Sequence, residues 1–443
     1  MTPTPSSPQP APTALRHVPE HVRDLAHHWA DQVTDTLVRR STDGDHLDPG
    51  QTSRRERADS LVSVLLEEHA CRALTGAAHP LDEHEEAWVR TRVLSQVCGL
   101  GPLEELLAEP GIRDIHINGT RVWVDFGGGQ REERPPITST DTELIALVQR
   151  LAAQAPGGER RFDASAPLLS MELTDGARLS AVMGVSRHPA VTIRRHPERE
   201  LTLTDLTASG MLTKPVRALL VAAVRARLNV VIGGATGSGK TTLLRALARH
   251  IPHDEHVITI EDAYELALDS DPDRNCLALQ GRPPNTEGAG EITLADLLRH
   301  ALRMSPDRVI VGETRGQETV ALLHAMTMGT DGSMATVHAS SSEQILTKLA
   351  TYANQARDRL TLEESAILIS SAVHLAVYID TDAHGTRRVA GIREIVGCDG
   401  PRVVTNEIHT AEHGFVLPLS PPYARKLVRT GFDPTTLLTG SGA

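Results

Sequence analysis

The 443-residue chain is short of aromatic side chains, with three Trp, four Tyr and four Phe, or 2% of the total. Lysine is equally scarce. Lys214, Lys240, Lys348 and Lys426 stand alone among 45 basic residues, and the rest are Arg. That balance reads as the codon usage of a GC-rich genome. So few aromatics offer little platform for stacking single-stranded nucleic acid. An excess of positive charge is missing too: 45 basic against 57 acidic residues leave a net charge of −12, which excludes a protein that coats nucleic acid by bulk charge. Cys71, Cys98, Cys276 and Cys398 are scattered with no Cys-x-x-Cys spacing. Neither a zinc ribbon nor a disulfide framework is expected, and a reducing cytoplasm is the expected compartment. Apolar runs such as Ala218–Val224 fall far short of the roughly 20 residues that cross a bilayer. Met1–Pro12 has no basic segment ahead of an apolar one, so it does not read as a signal peptide. Membrane attachment is therefore expected to be peripheral. His253 and His256 are three residues apart, where a helical zinc pair needs four.

The length predicts two or three domains. Residues 1–16 are rich in Pro, Ser and Thr and read as a disordered tail. Residues 17–98 read as a helical region, in which Ala58, Leu61, Val62, Leu65 and Leu66 recur at spacings of three and four. Residues 99–196 alternate strand and turn signals, with Asn118-Gly119 as a hairpin turn and a helix over 141–154, and predict an α+β domain. The polar stretch from His196 to Glu200 marks a linker over 197–202. From 203 to 443 apolar strands and helices alternate, which predicts an α/β domain with a mostly parallel sheet. The strands from Val373 onward read as an antiparallel extension.

Chemistry concentrates after the strand Leu228–Ile232. Gly234-Ala235-Thr236-Gly237-Ser238-Gly239-Lys240-Thr241, followed by Thr242, is a complete phosphate-binding loop between a strand and a helix. Its glycines let backbone N–H groups turn toward phosphate, and the next helix aims its positive end at the same anion. Lys240 supplies a mobile charge, and the Thr241 hydroxyl a ligand for Mg²⁺. A nucleotide hydrolase also needs carboxylates at the ends of neighbouring strands. Arg308–Val311 runs into Gly312-Glu313, and Val257–Ile260 into Glu261, Asp262 and Glu265. Glu261 and Glu265 would share a face if a helix began there, and acids capping that helix are the simpler alternative. A third strand, Met334–Val337, ends at His338, a residue placed to sense a terminal phosphate.

Together Gly234–Thr241, Ile258–Asp262, Val311–Gly316 and Gly332–Ala339 resemble the four boxes of the secretion traffic ATPases, in that family's order. Arg282–Gly288 and Leu302–Arg308 resemble its CpaF-like branch, which drives tight-adherence (Flp) pili. Segments around Gly99–Leu107, Ile115–Gly119, Asp175–Arg178 and Thr192–Arg195 resemble that branch's N-terminal domain. The scattered cysteines exclude the branch with a four-cysteine zinc module. The resemblance implies a RecA-like ATPase domain preceded by a smaller PAS-like α+β domain. It also implies ATP and Mg²⁺ as ligands, with Thr241 and Glu313 holding the metal partly through water. A homohexamer is implied, at the cytoplasmic face of the inner membrane, working on a platform protein and not on nucleic acid. Arg194, Arg195 and Arg178, then Arg282 and Arg303, are the arginines implied to reach the phosphates. Three alternatives stand beside this motor: a type IV secretion ATPase moving DNA or effectors, a nucleotide-binding scaffold without turnover, and a P-loop kinase.

Overall fold

The computed structural model describes residues 18–42, 54–127, 129–153, 160–195, 201–282, 284, 289–382, 384–435 and 437. The expected tail (1–16) and most of the expected linker (197–200) lie outside them. The chain separates into two compact units, Met1–Arg195 and His196–Ala443.

The first unit opens with helices α1 (Glu20–Thr42), α2 (Arg54–Leu74) and α3 (Glu83–Cys98). Val22, Ala26, Trp29 and Val33 recur every three or four residues on α1, and they bury against Val62 of α2 and Val89, Val93 and Val97 of α3. Asp82 caps α3 by accepting the Glu85 N–H at 2.7 Å, while the Glu85 carboxylate accepts the Asp82 N–H at 3.0 Å. Helix α4 (Leu103–Ala108) leads into β1 (Asp114–Asn118), β2 (Arg121–Gly127), β3 (Gln130–Arg134), α5 (Asp141–Ala153), β4 (Leu168–Glu172), β5 (Arg178–Val182) and β6 (Ala190–Arg194). The strands form one antiparallel sheet in the order β3-β2-β1-β6-β5-β4. Alternate residues Ile115, Ile117, Val122, Val124, Leu179 and Ile193 face a core filled by Leu144, Val148 and Leu151 of α5. Asn118 pairs with Arg121, so the hairpin turn is Gly119-Thr120 and Asn118 closes the strand. Gly119 takes the positive φ of +60° that this tight turn requires.

The second unit runs α6 (Leu203–Ala208), α7 (Lys214–Arg225), β7 (Val230–Gly234), α8 (Lys240–Ala248), β8 (Val257–Glu261), β9 (Cys276–Gln280), α9 (Leu294–Ala301), β10 (Arg308–Thr314), α10 (Glu318–Ala325), β11 (Met334–His338), α11 (Ser342–Gln355), α12 (Leu362–Ala372), β12 (Leu375–Thr381), β13 (Arg387–Asp399), β14 (Arg402–Thr410), β15 (Gly414–Phe415) and α13 (Pro421–Val428). Its sheet has the order β15-β14-β13-β12-β7-β11-β10-β8-β9. The six strands from β12 to β9 are parallel. β11 stands between the phosphate-loop strand β7 and β10, which is the RecA-like arrangement. β7, β8 and nearly all of β11 are buried, because helices cover both faces. Ile232 packs in the core on one face with Val216, Leu219 and Leu243, and Val231 in the core on the other with Ile260, Val311 and Leu349.

The antiparallel extension begins one strand later than the sequence predicts. β12 pairs parallel with β7, and only β13, β14 and β15 run antiparallel. Leu375, Ala376, Val377 and Ile379 are fully buried, as a central parallel strand requires and a half-exposed extension does not.

Candidate active site

The loop from Gly234 to Gly239 leaves the buried end of β7 and starts α8. Gly237 and Gly239 take φ values of +74° and +96°, which side chains with a Cβ rarely adopt. Gly234 has a different reason. A Cβ there would lie 2.5 Å from Ser238 Oγ and 2.7 Å from the Ile379 carbonyl oxygen. Ser238 is 3% exposed, and its Oγ has no hydrogen-bond partner among the described residues. Lys240 is also buried, and its ammonium donates to the Ala235 carbonyl at 2.9 Å. Burial pulls its pKa down, while the charges of Glu313 and Glu265 oppose that pull. An unpaired buried hydroxyl, a desolvated ammonium and two left-handed glycines fit a phosphate group. Thr241 and Thr242 sit half-buried in the first turn of α8.

Glu313 reaches this loop through a break in strand pairing. Val311 pairs with Ala335 and Thr314 with Val337, so β10 carries one extra residue at Gly312-Glu313. That bulge re-aims the side chain. The Thr336 hydroxyl holds it by donating to the Gly312 carbonyl at 2.6 Å. Lys240 Nζ lies 3.3 Å from His338 Nδ1. An ammonium only donates, so Nδ1 accepts and Nε2 carries the ring proton. Nε2 lies 2.5 Å from Glu313 Oε1. The other Glu313 oxygen is 3.1 Å from Arg315 Nε, and Arg315 Nη2 is 2.9 Å from Asp262. Lys240, His338, Glu313, Arg315 and Asp262 thus form one continuous polar line across the ends of α8, β11, β10 and β8.

Arg315 was absent from the arginines expected at the site, although it lies within the Val311–Gly316 box. Sequence gives an Arg beside a strand-end Glu no mark that sets it apart from the others. Its role as a bridge between two carboxylates appears only when β8 and β10 are side by side.

Glu261 departs from expectation. Residues 261–265 form no helix, so Glu261 and Glu265 do not share a helical face. Glu261 is 2% exposed, and its carboxylate accepts the N–H groups of Glu265 at 3.0 Å and Leu266 at 3.1 Å. It turns the chain there and packs beneath Gly312, where a Cβ would come within 3.1 Å of it. The charge of Glu265 acts on Lys240.

Of the other expected arginines, Arg194, Arg195 and Arg282 have local partners. In the first unit, Arg194 pairs with Asp114 at 3.0 Å and remains exposed. Arg195 donates to the carbonyls of Glu109 and Ile112. Arg178 lies on β5 opposite Glu172 and Arg194. In the second unit, Arg282 donates to the Gly290 carbonyl at 2.8 Å. Arg303 is exposed in the loop after α9. No hydrogen bond or ion pair among the described residues joins these two to the polar line at the phosphate loop.

The family model described as type II/IV secretion system protein matches residues 121–398. A putative conjugal transfer protein of Mycobacterium tuberculosis is 35% identical over 341 residues, spanning 74% of this chain and 94% of that protein. The type IV secretion system protein PtlH of Bordetella pertussis is 30% identical over 317 residues, covering 65% of this chain and 91% of its own length. Among solved structures, the VirB11 ATPase of the Brucella suis type IV secretion system is 28% identical. It covers 66% of this chain and 95% of its own, with a TM-score of 0.36. By the extent of the match and by its relatives, the chain belongs to the family of type II/IV secretion system proteins.

Proposed function

We propose that this chain is an Mg²⁺-dependent ATPase motor that drives a secretion or pilus-assembly machine. The observation that carries the reading is the line Lys240–His338–Glu313, which ties an anion grip to a carboxylate through one imidazole. The phosphate-loop N–H groups, Ser238 Oγ and Lys240 bind the nucleotide's phosphates. Phosphate charge competes for Lys240 and loosens its hold on His338. His338 passes that change to Glu313, which orients and deprotonates the attacking water. Arg315 holds Glu313 toward Asp262. Thr241 and Glu313 are the residues that would hold Mg²⁺, Glu313 partly through water, and the metal supplies charge neutralisation at the phosphates. Glu261 supports the loop after β8, and Glu265 adds a negative charge that acts on Lys240.

Several finer assignments belong to the same proposal. The helical region (17–98), the α+β domain (99–196) and the RecA-like domain (203–443) are joined by a linker over 197–202, and the two larger domains rock against each other as ATP turns over. Six copies form a ring at the cytoplasmic face of the inner membrane. In that ring Arg178, Arg194, Arg195, Arg282 and Arg303 are the arginines offered to the phosphates, and a platform protein receives the motion. Arg282–Gly288 and Leu302–Arg308 favour the tight-adherence pilus branch. Likeness to the conjugal transfer and PtlH proteins favours type IV secretion as a second reading, and DNA-stimulated ATPase activity would select it. Lys240→Ala in the purified full chain should lower phosphate release at least about a hundredfold. Release at the wild-type rate would refute the ATPase reading.

A further inference from the structure

A groove of about 790 Å³ opens on the second unit between α6, α7 and the segment after α13. One face of α7 forms its wall: Lys214, Arg217, Ala218, Val221, Ala222 and Arg225 follow the three- and four-residue spacing of a helix. Thr204, Thr207 and Ala208 of α6 stand on one side, and Thr430, Gly431 and Phe432 on the other. Among the described residues no carboxylate lines the groove, although the chain as a whole carries a net charge of −12. The side chains of Lys214, Arg217 and Arg225 make no ion pair among the described residues. Lys214 also lies in the first turn of α7, where the helix dipole disfavours a cation and no acid is present. Folding gains little from a Lys there. One of the chain's four lysines therefore sits at an unfavourable helix end, beside two more unpaired cations.

We propose that this groove docks an acidic amphipathic helix from a partner protein. Lys214 and Arg225 are 11 residues apart, or about 16 Å along the helix axis. Between them lie Arg217 and the small or apolar side chains of Ala218, Val221 and Ala222, with Phe432 facing them. A free phosphate would use the cations and leave this floor uncovered. A helix with an apolar stripe flanked by Glu or Asp at both ends, about three turns apart, covers both. The two alanines on α7 let such a helix approach closely. The inference is independent of nucleotide chemistry, because no groove residue belongs to the phosphate loop or its polar line.

The test is direct binding by the full chain, without nucleotide. The probe is a fluorescein-labelled helical peptide of about five turns, with a Leu stripe flanked by Glu at both ends. Fluorescence anisotropy should show saturable binding that weakens with added salt. Arg217→Glu/Arg225→Glu should weaken it at least about tenfold, and Lys348→Glu, exposed on α11, should leave it unchanged. Circular dichroism melting checks that the variants fold. If the charge reversals unfold the chain, Ala218→Trp, at an exposed position that fills the groove without changing charge, should abolish binding instead. No saturable binding, or binding indifferent to these changes, overturns the proposal. So does a groove-dependent self-association in light scattering, which would make a second copy the occupant. Because the readout is binding, its failure leaves the ATPase reading intact, and loss of ATPase activity in Lys240→Ala leaves this one intact.

Discussion

At the scale of single residues, the site turns on which groups are forced to share charge. Lys240 is desolvated by burial and steadied by Glu313 and Glu265. His338 is fixed in one tautomer because it accepts from an ammonium on one side and faces a carboxylate on the other. Glu313 is the only member of the line that can both accept a water's proton and feel the phosphate grip through His338. Glu313→Gln keeps its size and removes its charge. That variant should bind a fluorescent ATP analogue within a few-fold of the wild type and hydrolyse ATP about 10²–10³-fold more slowly. Hydrolysis at an unchanged rate would show that another carboxylate activates the water. The boxes around Lys240, Glu313 and His338 were legible in the sequence, because each follows an apolar run, the first through a glycine-rich loop and the other two directly at a strand end. The different tasks of Glu261 and Asp262 were not. Adjacent acids at a strand end look alike until one is seen buried under Gly312 and the other exposed beside Arg315.

At the scale of elements, the β10 bulge and the polar clasp behind it set where these residues point. Asn229, just ahead of β7, is fully buried. Its amide nitrogen donates to the Met326 carbonyl at 3.0 Å and the Ala372 carbonyl at 2.6 Å, and its oxygen accepts the N–H groups of Gly332 and Ser333. One side chain thus ties the ends of α10 and α12 to the loop that starts β11. Arg308, also fully buried, forms a two-pronged pair with Glu255 at 2.6 and 2.9 Å nearby. Gly332, at φ +90°, leaves room for that guanidinium, since a Cβ would fall 2.5 Å from it. Asn229→Ala strands four backbone groups without water. It should cost at least about 3 kcal/mol, read as a large drop in melting temperature of the second unit. A drop of only a degree or two would mean that the clasp is redundant. Strands with unbroken apolar runs were legible. The edge strand β9 was not, because each of its residues is only half-buried and no period stands out.

At the scale of the whole molecule, charge and burial set the response to pH. His374 packs edge-on against Tyr423 and accepts the Asn229 N–H through Nδ1 at 2.8 Å. Burial, aided by Lys426, pushes its pKa down to about 4. The unfolded chain, with an ordinary histidine, takes up the proton first. The stability that His374 contributes is therefore complete above about pH 6.5 and is lost as pH falls toward 4, to a total of about 3 kcal/mol. His250 and His409 are shifted the same way by burial. The wild-type melting temperature should fall more steeply between pH 6.5 and 4.5 than that of His374→Gln, and parallel curves would dismiss His374 as the main acid-labile group. The sequence by itself determined the class of fold and the phosphate grip, because burial on both faces of a parallel strand and a glycine-rich turn leave local marks in the chain. It also showed that lysine is rare, which singled out Lys240 and left Lys214 unexplained. Only the tertiary structure decided that β12 joins the parallel core, that Arg315 bridges Glu313 and Asp262, and that Lys214 faces a groove with two other unpaired cations. Each of these depends on residues far apart in the chain meeting across a packed sheet or helix face, and no local pattern records such a meeting.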